Sequence, residues 1–419
     1  MQTEIKNSIC LNLKSELPAS WRWVKLGEVC KINPPRPKVF MRSQDALTTF
    51  VPMTAVDKKS GTITKPEIVP YSRVSKGYTY FEESDVLFAK ITPCMQNGKH
   101  AIAKDLIDGI GFGTTEFHVL RVSAEILPEW IHYFIRQHSF LEEATAYFTG
   151  VVGQQRVHKS FLKNYLIPLP KIDEQKRIVK KIKELMQEID FARIACEKQL
   201  EVTNNFPNIY LWEVFESEEA KKWERKKLGE VCEVFSGSSA PQGKIYFKNG
   251  KYPFVRVQDL GRYGRTINLV DIKDYINDVA IKELGMVRAE KGTILFPKSG
   301  AAIATNNRAI LGIDAFIVSH LAALKPIEEI ADTYFVYYWL CLTDMIQYME
   351  NPGYPSLKLS TISKIFISLP TLEVQHRVTN ALKKKIGQIE KLCYVIEKQL
   401  IAINVLPQVI LRRAFMGEL

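Results

Sequence analysis

A repeat at a fixed offset constrains this chain more than any other feature. Ile167-Pro168-Leu169-Pro170, Gln175, Arg177 and Glu197-Lys198-Gln199-Leu200 recur as Ile367-Ser368-Leu369-Pro370, Gln375, Arg377 and Glu397-Lys398-Gln399-Leu400, each 200 residues later. Upstream, Lys25-Leu26-Gly27-Glu28-Val29-Cys30 returns as Lys227-Leu228-Gly229-Glu230-Val231-Cys232. A period this long marks duplication of a domain and the helix behind it, not a solenoid. One scaffold is therefore built twice.

Each repeat ends in a long amphipathic segment. Ile178, Ile182, Leu185, Ile189, Ala192 and Cys196 step by fours and threes, as do Val378, Leu382, Ile386, Ile389, Cys393, Ile396, Leu400 and Ile403. That spacing keeps one narrow apolar stripe on a partner helix. A Leu-Pro pair precedes each segment and fixes an extended approach. From Lys171 to about Thr203 the first rod is roughly 50 Å long at about 1.5 Å per residue. Each stripe finds its natural partner in the other. The domain between them permits either orientation, and a pseudo-twofold arrangement makes them antiparallel.

Outside the rods, residues 20–165 and 223–365 mix β-type runs, such as Thr49 to Val56 and Phe254 to Val257, with turns and one aromatic helix each, Glu129 to Ile135 and Thr333 to Leu340. These helices read as core. The expected fold is α+β, with two similar mixed α/β domains joined by two long helices in an antiparallel coiled coil. The boundaries read as 1–166, a first spacer helix 167–206, a linker and second domain 207–366, and a second helix with tail 367–419.

With 57 Lys+Arg against 46 Asp+Glu, the formal charge is +11, which favours a polyanionic partner. Cys10, Cys30, Cys94, Cys196, Cys232, Cys341 and Cys393 form no CxxC pair and read as reduced thiols of a cytoplasmic protein. Met1 to Lys6 lacks an apolar leader, and the apolar run Tyr334 to Leu342 is too short to span a bilayer. Secretion and a membrane partner are not expected.

Catalytic motifs fail on chemistry. Asn33-Pro34-Pro35-Arg36 resembles the loop of amino-methyltransferases but carries arginine where the stacking aromatic belongs, so it reads as a surface turn. Gly237 to Lys244 has five residues between its glycines, not four, and Ile245 replaces the magnesium-binding hydroxyl of a P-loop. Gly109, Gly111 and Gly113 precede a strand, the reverse of a dinucleotide fingerprint. His100, His158, His320 and the other histidines show no metal-ligand spacing. Neither catalytic residues nor a resident metal or cofactor are expected.

What remains is a pair of similarly built, differently decorated basic domains, suited to reading two stretches of a long ligand. Candidate groove contacts are Lys90, Thr92, Gln96, Asn97, Lys99 and His100 with Gln154, Gln155 and Arg156 in the first copy. Lys298, Ser299, Thr305, Asn306, Asn307 and Arg308 are those of the second. Arginine and lysine suit guanine, and asparagine and glutamine suit adenine.

Four segments carry a family likeness: Leu17-Pro18 with Trp23 to Val29, Asp85 to Lys90, the Leu-Pro…Gln…Arg helices at 169–177 and 369–377, and Leu406-Pro407 with Ile410 to Leu419. Together they make the chain resemble the specificity subunit of type I restriction and modification systems over nearly its whole length. The resemblance implies two target recognition domains reading the halves of a bipartite asymmetric sequence in double-stranded DNA. It also implies helices that dock two methyltransferase subunits, with restriction and translocase subunits in the same complex. S-adenosylmethionine, ATP and magnesium then belong to those partners. Two departures stand out: Val374 replaces the glutamate kept at Glu174, and Phe206 to Leu211 is a degraded copy of the tail. The alternative is a scaffold or decoy that recruits methyltransferase chains without reading sequence.

Overall fold

The structure is a computed structural model. It describes residues 17–38, 40–151, 154–261, 267–349 and 355–419. Met1 to Lys6 and Cys10 lie outside the described residues. The chain divides into two units, one of residues 1–195 and 399–419 and the other of residues 196–398.

The first unit holds two four-stranded sheets. In one, Cys30–Ile32, Phe117–Val122, Val86–Ala89 and His100–Ile102 pair antiparallel in that order. In the other, Glu67–Pro70, Leu47–Val51, Ile110–Gly113 and Thr79–Glu82 follow, with a single parallel pairing between Leu47–Val51 and Ile110–Gly113. The second unit repeats both. Cys232–Ser236, Leu321–Pro326, Ile294–Pro297 and Ala309–Leu311 match the first sheet, with Asn268–Leu269 added parallel at its edge. Asp274–Ile276, Tyr252–Val255, Ala315–Ile317 and Arg288–Ala289 match the second, including the one parallel pair. The expected duplication is thus present in both four-stranded sheets, with Asn268–Leu269 an addition of the second unit.

The repeated motifs are the joints of this scaffold. In each copy the short helix at Leu26–Val29 or Leu228–Val231 is capped by its own glutamate. The Lys25 amide donates to Glu28 at 3.1 Å and the Lys227 amide to Glu230 at 2.9 Å. Gly27 and Gly229 recur because a Cβ there would lie 2.9 Å from the Lys163 carbonyl oxygen or 3.3 Å from that of Ser363. Burial pushes the Cys30 and Cys232 thiols, which close the motif, up to about 12. Both behave as small core side chains.

Gln175 and Gln375, both fully buried, lock the start of each long helix. Gln175 donates to the carbonyls of Glu125 and Pro170 at 2.9 and 3.0 Å and accepts from the Leu127 amide at 2.9 Å. Gln375 donates to Ile330 and Pro370 at 3.0 and 2.8 Å and accepts from Asp332 at 2.8 Å.

The two long helices are Ile172–Phe215 and Leu372–Phe415. In the first unit Ile178 and Ile182 share a core with Leu411, Ala414 and Phe415, and Arg177 donates to the Leu419 carbonyl at 2.7 Å. In the second, Leu211 shares a core with Leu382 and Ile386, and the Cys393 thiol meets Asn204 at 3.4 Å. Low numbers on one helix meet high numbers on the other in both units, so each pairing is antiparallel. The coiled-coil expectation holds.

Two details differ from the sequence reading. The first helix does not stop near Thr203 but runs through Pro207 to Phe215, so residues 207–215 are helix, not linker. Aromatic packing explains the extension: Phe215 lies 5.1 Å from Phe335, as Phe415 lies 4.6 Å from Trp130, and these contacts offset the hydrogen bond lost at proline. Ala192 is exposed, because beyond Ile189 the stripe passes through Arg193 and Cys196 instead.

Candidate nucleic-acid interface

Val86–Ala89 and Ile294–Pro297 are central strands whose four residues are all buried. Lys90 and Lys298 follow directly, where each strand leaves the core. The same backbone clamp holds both. The Lys90 amide donates to Glu116 at 2.9 Å, its carbonyl accepts from Val157 at 2.9 Å, and the Thr92 amide donates to Gln155 at 3.0 Å. In the second unit the Lys298 amide donates to His320 at 2.9 Å, its carbonyl accepts from Leu357 at 2.8 Å, and Gly300 donates to Pro355 at 2.8 Å. Single bridges, Ile91 to Arg156 and Ser299 to Ser356, complete the match. Val157 and Leu357 restore the 200-residue offset.

The clamp brings Lys90 and Thr92 together with Gln154, Gln155 and Arg156, the two clusters read separately in the sequence. Its side chains differ between copies. Arg156 makes a two-bond pair with Glu116, both at 2.8 Å, which holds that carboxyl below its usual range. At the matching places the second unit has Ser356 and His320, and His320 Nδ1 meets Ser299 Oγ at 2.6 Å. Glu116, His320 and Ser356 were not among the sequence candidates. Carrying the offset forward from Arg156 would have found Ser356.

Gln96, Asn97, Gln154 and Thr305 are exposed, and Lys90, Thr92, Gln155, Lys298, Ser299 and Asn307 are partly so. Four candidates have structural duties. Lys99 donates its amine to the Met53 carbonyl at 2.8 Å. Asn306, at φ 53°, donates to the Cys341 carbonyl at 2.9 Å. His100 is fully buried, stacked on Phe88 at 4.4 Å, and its Nδ1 accepts from the Ala89 amide at 3.2 Å. Desolvation holds its pKa well below the ordinary histidine value, so it is a neutral core ring. Arg308 is 6% exposed, lies 5.2 Å over Phe296 and donates to Asn306 Oδ1 at 2.6 Å, with its pKa drawn down by burial to about 10. For His100 and Arg308 the expectation of groove contact is corrected: burial commits both to holding their loops.

Among the described residues no group of three His, Cys, Asp or Glu is arranged to hold a metal ion. What the geometry provides is display: a cation at the end of a rigid strand, ringed by amides and hydroxyls. Such groups address phosphates and base edges.

Comparison with known proteins gives this arrangement its context. The type I restriction enzyme EcoEI specificity subunit of Escherichia coli is 40% identical over 172 residues, 41% of this chain and 28% of that protein. The MjaIX specificity subunit of Methanocaldococcus jannaschii is 28% identical over 298 residues, 65% of this chain and 66% of the relative. The chain thus spans under a third of the EcoEI subunit. Two solved structures share the fold at 24% identity. One, from a study of assembly and conformational transition of the type I R-M system, has a TM-score of 0.79 and covers 97% of this chain and 100% of its own. The other, the HsdS subunit from Thermoanaerobacter tengcongensis, has a TM-score of 0.67, covering 97% and 99%. The type I restriction modification DNA specificity domain matches twice, at residues 18–202 and 220–399, once for each copy of the scaffold, and the chain belongs to that family.

Proposed function

We propose that this chain is the non-catalytic specificity subunit of a type I restriction-modification complex, each unit reading one half of a bipartite asymmetric DNA site. The single observation that carries the reading is the paired clamp: one backbone frame, used twice, presents Lys90 beside Arg156 and Glu116 in one copy and Lys298 beside Ser299, Ser356 and His320 in the other. Equal frames with unequal side chains suit two unlike half-sites. Residues 1–166 and 216–366 supply the recognition domains, and the long helices, the first extending to Phe215, set the gap between half-sites.

Docking of methyltransferase subunits, two of them by the internal repeat, is assigned to the long helices. Their seam is buried, yet they expose Phe191 (74%), Trp212 (62%) and Ile401 (61%). Large apolar side chains outside the seam suit partner helices. By length and composition alone the second helix is apolar enough to cross a bilayer. Only 11% of that apolar stretch is buried within the chain, so a partner surface, not the helix pairing, accounts for most of its composition. S-adenosylmethionine, ATP and magnesium are assigned to the methyltransferase and restriction subunits, and the complex to the cytoplasm, with the DNA.

Methylome sequencing of cells with and without the gene tests this reading. A split motif with unlike halves whose methylation needs the gene supports it. An unchanged methylome despite intact partner genes supports the scaffold or decoy instead.

A further inference from the structure

The first unit contains a cavity of about 350 Å³, within the usual size of small-ligand sites. Its lining includes Arg36, Lys90, Ser75, Thr79, Thr115 and Tyr78, and no Asp or Glu. Neither cation forms an ion pair among the described residues, although Lys90 adds to Arg156 in holding the Glu116 carboxyl low. The nearby acids have other duties: Glu116 takes Arg156, and Glu82 takes Arg121 at 2.6 Å.

Arg36 is held in place by neutral groups alone. The chain turns at Asn33, φ 53°, whose side chain accepts from the Val119 amide at 2.9 Å and donates to His118 Nδ1 at 2.9 Å. Pro34 and Pro35 stiffen the approach. The guanidinium then donates to Tyr71 Oη at 2.8 Å and the Ser75 carbonyl at 3.0 Å and lies 5.3 Å from the centre of the Phe40 ring. Its position is fixed and its charge is spare. Tyr78, 42% exposed, rests edge-on against Phe50 at 5.0 Å and leaves ring surface for stacking.

We propose that this cavity is a nucleotide subsite, taking a phosphate between Arg36 and Lys90 with its base against Tyr78. The proposal rests on the specificity-subunit reading and deepens it: the source of the nucleotide is the DNA of the first half-site. A free mononucleotide carries the same chemistry, so the test has two arms.

The first arm measures affinity of the assembled complex for a duplex carrying its motif, across a salt series. Lys90→Gln and Arg36→Gln are each expected to lower the magnitude of the log–log salt slope by about 1, as loss of one phosphate contact does. Tyr78→Ala is expected to weaken binding about tenfold with the slope unchanged. The Lys90 side chain takes no part in the strand clamp, so Lys90→Gln carries the test even if Arg36→Gln unfolds. The second arm titrates deoxyadenosine monophosphate onto the full chain. Reduced slopes identify DNA as the source. Unchanged slopes with saturable mononucleotide binding that Arg36→Gln abolishes keep the nucleotide subsite and reassign its source. Unchanged slopes without mononucleotide binding overturn the proposal while leaving the subunit reading intact. A wild-type complex that reads no motif overturns the reading itself.

Discussion

Gln175→Leu removes a side chain that ties three backbone groups together at the start of the first long helix. Leucine is of similar size, so no large cavity opens and the loss is one of hydrogen bonding. The Leu127 amide and the Pro170 carbonyl lose their partner where water has little access, while Glu125 is exposed and its carbonyl can be rehydrated. Two orphaned groups at about 1–3 kcal/mol each put the destabilisation at about 2–6 kcal/mol. Gln375 makes the equivalent bonds to Ile330, Pro370 and Asp332, and Ile330, unlike Glu125, is not exposed, so Gln375→Leu is expected to cost at least as much. Hydrogen exchange supplies the assay: Gln175→Leu deprotects the Leu127 amide and Gln375→Leu the Asp332 amide, each with the first turn of its own long helix. A loss below about 0.5 kcal/mol for either variant, or deprotection away from its own corner, refutes the claim that these glutamines are joints of a duplicated scaffold.

Acid should open the first unit before the second. Burial lowers His118 to about 4 and His132 to about 3 from an ordinary 6.5, and lowers His100 as well. Because the folded values are depressed, the unfolded chain binds protons more readily; stability is complete above pH 6.5 and falls with pH through the window down to 3–4. At pH 5 His118 and His132 each cost about 2 kcal/mol, at 1.36 kcal/mol per unit. Limited proteolysis at pH 7 and pH 5 checks this, and earlier cleavage in residues 223–365 contradicts it. On the helices, Ile182→Glu is expected to destabilise by more than about 3 kcal/mol, whereas Ala192→Glu stays within about 0.5 kcal/mol, because Ile182 is fully buried and Ala192 exposed. Chemical denaturation of both variants decides it.

Periodicity and repetition made much of the fold legible. The seam Val378 to Ile403 is at least half-buried at every step, because a heptad pattern follows from helix geometry alone. The Lys25–Cys30 motif announced a joint whose reasons, a cap and a close approach, became visible only in three dimensions. Thr49 to Val56 read as one β run, yet the strand is Leu47–Val51, since Pro52 has no amide to continue the ladder. At the candidate interface residue type was visible and burial was not. His100 and Arg308 look like groove residues by composition, and only the rings of Phe88 and Phe296 beneath them show otherwise. The clamp joining Lys90 to Arg156 spans 66 residues, and no local pattern encodes it. The repeat does, once Val157 and Leu357 are aligned.

The central claim is that one frame, used twice, reads two unlike half-sites. The side chains that differ between the two frames decide it, through the methylated motif in cells carrying Arg156→Ala or His320→Ala. Each variant is expected to relax or abolish recognition in a different half, with the other half and the gap unchanged. Loss of both halves with either variant, or a changed gap, would contradict it.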